Sequence, residues 1–285
     1  LSFLTVLALL TACSSAQAET TGEVGGEVKG FGVALFPYEH PLMPEDPSGY
    51  GVLNFRLLLE GGVSSGERSL RLVAHGVSTT TAPRLDSSTS VMSTQNTGAL
   101  PEAVDMTWSL DGNDDLSWTL RPDRLVLEAS VPHLDVALGR QAITFGHGML
   151  FTPLDLVAPF HPAVIDQEYK PGADAIRLDG YAGLSKASLV VAYAGDWNQE
   201  GLVASAYGQT TVGVWDLGVL AGSVRGDWVA GVTSVGSVGP MGVWAEGTFT
   251  LPPEGEDPFV RAVVGGDAML GERSFVAAEL YYQSL

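Results

Sequence analysis

The chain has 285 residues, with 33 acidic and 14 basic side chains and a formal charge of −19. Hydrophobic residues at 45% are too many for a disordered chain, the acidity argues against nucleic acid as partner, and one cysteine excludes a disulfide scaffold. Charged residues at only 16% with 35 glycines fit a β-protein that leaves its acids in loops better than a helical enzyme.

Leu1 to Leu10 is an apolar run of signal-peptide length, too short to span a bilayer as a helix. Ala16-Gln17-Ala18 reads as a cleavage site, and Leu10-Thr11-Ala12-Cys13 as a lipobox that would place a lipid on Cys13. The reading is an export signal over 1–18 and one β-barrel domain over 19–285.

From there the chain alternates with period two. Leu53, Phe55, Leu57 and Leu59 oppose Asn54, Arg56, Leu58 and Glu60. Leu70 and Leu72 oppose Arg71, Val73 and His75, and Leu125 and Leu127 oppose Arg124, Val126 and Glu128. Similar alternation recurs around Ile176, Val260 and Val276. The spacing predicts strands over 23–36, 50–61, 67–78, then 104–110 and 115–131 as one or two strands, and 134–145. Further strands follow over 174–182, 187–195, 202–208, 211–223, 227–236, 240–250, 259–269 and 273–284. The stretch 79–103 is a long polar loop within one domain. Trp228 to Ala245 carries no charge, but its glycines and Pro240 break a spanning helix and favour two strands around a turn.

Connections alternate in length. Those at 61–67, 131–133, 183–186, 237–240 and 270–273 are short, and those at 36–49, 78–105, 146–172, 196–201 and 252–258 are mostly longer. Aromatics lie near strand ends, at Trp197, Trp228, Phe259, Tyr281 and Tyr282. Short turns on one side, long loops on the other and aromatic girdles are the pattern of an antiparallel transmembrane β-barrel. The expected fold is all-β, with about 12–14 strands in contact with outer-membrane lipid. The chain stops after Tyr281-Tyr282 without a terminal aromatic, and both ends read as cut.

The block Leu134 to Tyr181 contains Gly139-Arg140-Gln141, Phe145-Gly146, Pro153-Leu154-Asp155 and Gly172-Ala173-Asp174-Ala175-Ile176-Arg177. It resembles Gram-negative outer-membrane porin-like barrels of the alginate-export type. The runs Trp215 to Gly222 and Ala278 to Tyr282 are similar to them as well. Phe145 departs from the pattern, since such relatives often have Trp there. The resemblance implies a channel inserted by the barrel-assembly machinery, and it names no substrate.

Charges on the inward faces must line a lumen, because Arg or Lys facing lipid costs about 2–4 kcal/mol at midplane. The candidate lining is Arg56, Glu60, Arg71, Arg124, Glu128, Arg177, Asp179, Asp216, Glu246, Arg261, Asp267 and Glu279. Cross-strand ladders of this kind set selectivity in a pore or satisfy a closed plug. Arg140 shares parity with the lipid-facing Leu138. Either a bulge at Gly139 turns it inward, or it sits at the rim and snorkels. The loop 146–172, stiffened by four prolines, is the candidate constriction, with Arg140, Asp155, Glu168 and Lys170 as its residues and Asp155 as expected partner of Arg140. His147 and His161 have no metal-ligand spacing, and neither G-x-S-x-G nor a phosphate-cradling loop occurs, so no metal, cofactor or catalytic role is expected. The expected function is passage of a small polar solute, with weak cation preference from the acidic loops. The alternative is a non-conducting barrel serving as surface receptor, adhesin or scaffold.

Overall fold

A computed structural model describes residues 19–35, 48–82, 100–111, 117–159, 169–253, 256–271 and 273–284. These residues form one fourteen-stranded antiparallel sheet. The strands are β1 (Glu19–Leu35), β2 (Ser48–Ser65), β3 (Arg68–Ala82), β4 (Trp108–Asp111), β5 (Ser117–Val131), β6 (Leu134–Gln141) and β7 (Ala173–Ala182). They continue with β8 (Ser185–Tyr193), β9 (Leu202–Val212), β10 (Trp215–Val224), β11 (Asp227–Val238), β12 (Met241–Leu251), β13 (Phe259–Leu270) and β14 (Ser274–Gln283). Each strand pairs with its sequence neighbour, except that β3 pairs with β5 and β4 is a short flap on β5. Among the described residues β1 and β14 are not paired with each other.

The alternation seen in the sequence becomes two unlike faces. Leu53, Phe55, Leu57, Leu59, Leu72, Leu125, Leu127, Val260, Val264, Val276 and Leu280 are all exposed, Leu280 at 72%. Leu70, of the same set, is half-buried. Among the described residues no second sheet covers them. The other face carries the charges and is concave. From β6 the chain turns into that concavity. Residues 147–151 reach β12 and β14, while Tyr169 lies against Lys29 of β1 and Arg56 of β2. A single connecting segment therefore touches the inner face near both edges of the sheet, which is rolled around it.

Tight hairpins close one end. At Gly213–Val214, Gly213 adopts φ +66°, a left-handed conformation that a side chain would oppose. The sequence had placed this turn near 209–210, between a strand ending at 208 and one starting at 211. Gln209, Thr210 and Thr211 instead continue the ladder opposite Gly218, Leu217 and Asp216. Among the described connections at the opposite end, Arg225–Gly226 is the short exception.

Two further expectations are corrected. The strand expected over 134–145 ends at Gln141, because residues 142–145 leave the wall to begin the inward segment. No register shift occurs at Gly139, which pairs regularly with Val126 and Ala175. The irregularity lies across β5, where His75 faces Arg124 and Gly76 faces Pro122, so Asp123 is the extra residue. Proline cannot donate to a ladder, and a mid-strand Pro122 is the local cause.

Candidate functional site

Register settles which residues share the inner face, since directly paired residues point the same way. The chain of pairs runs Arg56–Val77, Glu60–Val73, Arg71–Glu128, His75–Arg124, Glu128–Ala137 and Ala137–Arg177. It continues through Asp179–Ser188, Asp216–Thr211, Thr233–Glu246, Thr248–Arg261, Gly242–Asp267 and Gly265–Glu279. All twelve candidate lining residues therefore lie on one continuous face. Phe259 and Tyr281 share it, and Tyr281 stacks on Phe151 with ring centroids 4.7 Å apart. Those two aromatics are not part of an outer girdle, whereas Trp197, Trp228 and Tyr282 are exposed.

The segment after β6 forms a strap across this face. Its apolar side chains Ile143, Phe145, Leu154, Leu156 and Val157 pack on Ala175, Val190, Ala192, Val203, Tyr207, Leu220 and Val229. Irregular backbone laid against a wall, in part buried, must find partners for its N–H groups. Here three carboxylates supply them in series. Asp155 accepts from the amides of Phe145 at 2.8 Å and Gly146 at 3.0 Å, and from the Thr144 hydroxyl. Glu246 accepts from His147 and, at 2.7 Å, from Gly148. Glu279 accepts from Met149, Leu150 and Phe151. Seven consecutive amides, 145 to 151, are thereby satisfied by carboxylate oxygens. Glu279 is positioned by the Trp244 indole N–H, 2.8 Å away. That indole lies over Gly265, where any side chain would collide with the ring.

Two contacts close the neck of the strap. Lys170 Nζ lies 2.9 Å from Asp155, and both are buried. Burial alone would raise the Asp155 carboxyl, but the Lys170 charge and the donors from Gly146 and Thr144 outweigh it and hold the group below its ordinary value. Burial draws the Lys170 ammonium down, and Asp155 offsets part of that. Beside them, the bulged Asp123 receives Arg56 at 2.6 Å and Arg124 at 3.0 Å, and Arg124 also donates to the Lys170 carbonyl. Asp123 was missed by the alternation, which assigns it outward parity. Pro122 was the available signal.

Arg140 is buried at 3% exposure, but it does not meet Asp155. Its guanidinium makes a bidentate pair with Asp174 at 2.9 and 2.9 Å. It lies 2.9 Å from Glu102 and donates to the carbonyls of Pro122 and Val104. Asp174 also accepts from the Ala103 amide. Arg140 therefore pins residues 102–104 over the β6–β7 rim rather than holding the strap. Gly139, with φ +121° and no room for a Cβ beside the Leu125 carbonyl, lets the chain twist there. Glu168 lies outside the described residues.

Elsewhere the inner face is ionic. Arg71 bridges Glu60 and, at 3.2 Å, Glu128, and Arg177 Nε lies 2.7 Å from Asp179, which Lys186 approaches at 3.5 Å. Between these groups is a polar cavity of about 410 Å³ lined by β3, β5, β6 and β7. The arrangement offers fixed charges of both signs to a small solute beneath a partly obstructing strap. No family model and no curated protein matches the sequence. Among solved structures the chain is similar to the low-pH structure of OprB from Pseudomonas putida, with a TM-score of 0.44 and 12% sequence identity over 99% of this chain and 81% of that chain.

Proposed function

We propose that the protein is a transmembrane β-barrel of the outer membrane that passes small polar solutes, with the strap as its constriction. The observation that carries this reading is the opposition of faces within the same strands. Val24, Val28, Leu53, Leu138, Val219, Val232 and Leu280 are exposed on one side while charges lie on the other. In water such a band would aggregate, and in lipid it is the contact surface. Strands β7 to β14 have 9 to 12 residues, close to the 9–11 that a tilted strand needs to cross a bilayer. The resemblance of the Leu134–Tyr181 block to alginate-export-type barrels points the same way. On this reading residues 1–18 direct export, the barrel-assembly machinery inserts the domain, and Asp155, Glu168 and Lys170 belong to the constricting loop.

The wall does no covalent chemistry in this scheme. Selectivity arises from a lining of paired charges with an acidic surplus, which favours cations weakly and less so at high salt. The test is reconstitution of the full chain in a planar bilayer. Discrete conductance steps with a modest cation-directed reversal potential are expected. The strap's burial against β7–β11 is the observation on the side of a non-conducting receptor, adhesin or scaffold. Absence of conductance from correctly inserted protein would establish that alternative. Strong anion selectivity would overturn the charge reading.

A further inference from the structure

The cavity on the inner face of β3, β5, β6 and β7 has a balanced charge composition. Arg71, Arg124 and Arg177 line it together with Glu128, Asp135 and Asp179, so the six formal charges cancel. They are not mixed at random. Arg71 and Glu128 pair on the β3–β5 side, and Arg177 and Asp179 pair on the β7 side. Arg71 is half exposed, so its head remains reachable. The floor between the pairs is small and apolar, with Val73, Val126 and Ala137.

We infer that this cavity selects small zwitterions of the amino-acid or betaine class; the inference rests on the channel reading above and gives it a substrate class. A net anion or cation finds no net countercharge here and must break an existing pair to enter. A neutral polyol must displace water from six ionic heads with hydroxyls, and beside these the lining offers it two rings, His75 and Tyr181, and two uncharged polar side chains, Ser130 and Gln141. A zwitterion exchanges like for like. Its ammonium takes the place of a guanidinium beside Glu128 or Asp179, its carboxylate takes the place of an acid beside Arg71 or Arg177, and every charge stays neutralised.

The experiment uses proteoliposomes containing the full chain and isosmotic swelling rates for glycine, glycine betaine, glycerol and erythritol. Each rate is referred to that through a wide non-selective pore. The zwitterions are expected to enter about fivefold faster than the polyols, the equivalent of about 1 kcal/mol. The paired variant R71Q/E128Q, which keeps net charge constant, should bring the zwitterion rate down toward the polyol rate. Entry ordered by molecular size alone, or an unaltered ratio in the variant, overturns the inference and leaves the channel standing. Calorimetric titration of glycine betaine into the detergent-solubilised protein separates the remaining case. Binding without swelling keeps the site and sinks the channel, and neither binding nor swelling sinks both.

Discussion

The two halves of the inner face use carboxylates for different purposes. Across β1–β8, acids face cations: Arg56, Arg71, Arg124, Arg177 and Lys186 each lie within ion-pair distance of Asp or Glu. Across β9–β14, Arg261 is the basic residue among the described inward positions, and two of the acids there turn to backbone while Asp216 accepts from the Thr211 hydroxyl. Glu246 and Glu279 accept amides of the strap, as Asp155 does from within it. A carboxylate facing a guanidinium in a wet lumen can exchange partners with a passing solute. A carboxylate that caps two or three strap amides at once is held in place by them, and where those amides are shielded from water each one orphaned costs about 1–3 kcal/mol. The ionic half is thus suited to conduct and the strapped half to hold still.

The largest effect should come from removing the strap's two wall acceptors together. E246A/E279A orphans five amides, 147 to 151, while leaving the Asp155 cluster intact. The strap is expected to leave the inner face, raising single-channel conductance severalfold and exposing 142–159 to protease. Unchanged conductance with full protection would break the distinction between the two halves.

Next in size is the buried pair at the strap's neck. Asp155→Asn leaves the Lys170 ammonium without its countercharge, a loss of about 3–5 kcal/mol in local stability. Adding Lys170→Met should recover much of it. Hydrogen exchange at residues 144–156 in a double-mutant cycle reads the coupling, and additive losses would show that the pair does not close the neck.

Acid should act on the same contact, and its sign is determined. The Asp155 carboxyl lies below its ordinary value of 3.8, so its contribution is fully present above that value and is lost as pH falls through the lower folded value. Protection of the Phe145 and Gly146 amides, which Asp155 caps, is expected to stay flat from neutrality to about pH 4 and to decline only below it. Loosening already at weakly acid pH would assign the anchor to another group.

The wall was legible in the sequence because alternation survives wherever one face meets an apolar medium and the other a polar one. The exposed band at Leu53–Leu59 and the inward run at Arg56 and Glu60 follow from it. The site was legible only in its parts. Asp155 and Lys170 were recognised as loop residues, but Arg140 was assigned to Asp155 because Asp174, its direct neighbour across the β6–β7 ladder, was read only as the opening of the next strand. Asp123 was hidden because one extra residue reverses parity. The capping of amides by Glu246 and Glu279 spans more than ninety residues of sequence and leaves no local pattern.

The smallest expected effect sharpens the comparison most. Arg71 is half exposed and shares its charge between Glu60 and Glu128. Such pairs contribute about 0–1 kcal/mol, because water and side-chain entropy offset the attraction. Arg71→Gln should therefore leave barrel stability unchanged within about 0.5 kcal/mol. It removes one inward cation and frees two acids, so the reversal potential should move further in the cation direction. The shift should shrink as ionic strength rises and the Debye length falls to about 10 Å at 0.1 M. A charge removed from the strapped half should instead register first as a loss of structure. If Arg71→Gln unfolds the wall while leaving selectivity alone, the ionic half is scaffold as much as the strap is. If selectivity moves and stability does not, charges in the two halves differ in kind, and the lumen beside β3 is the part of the protein that a solute meets.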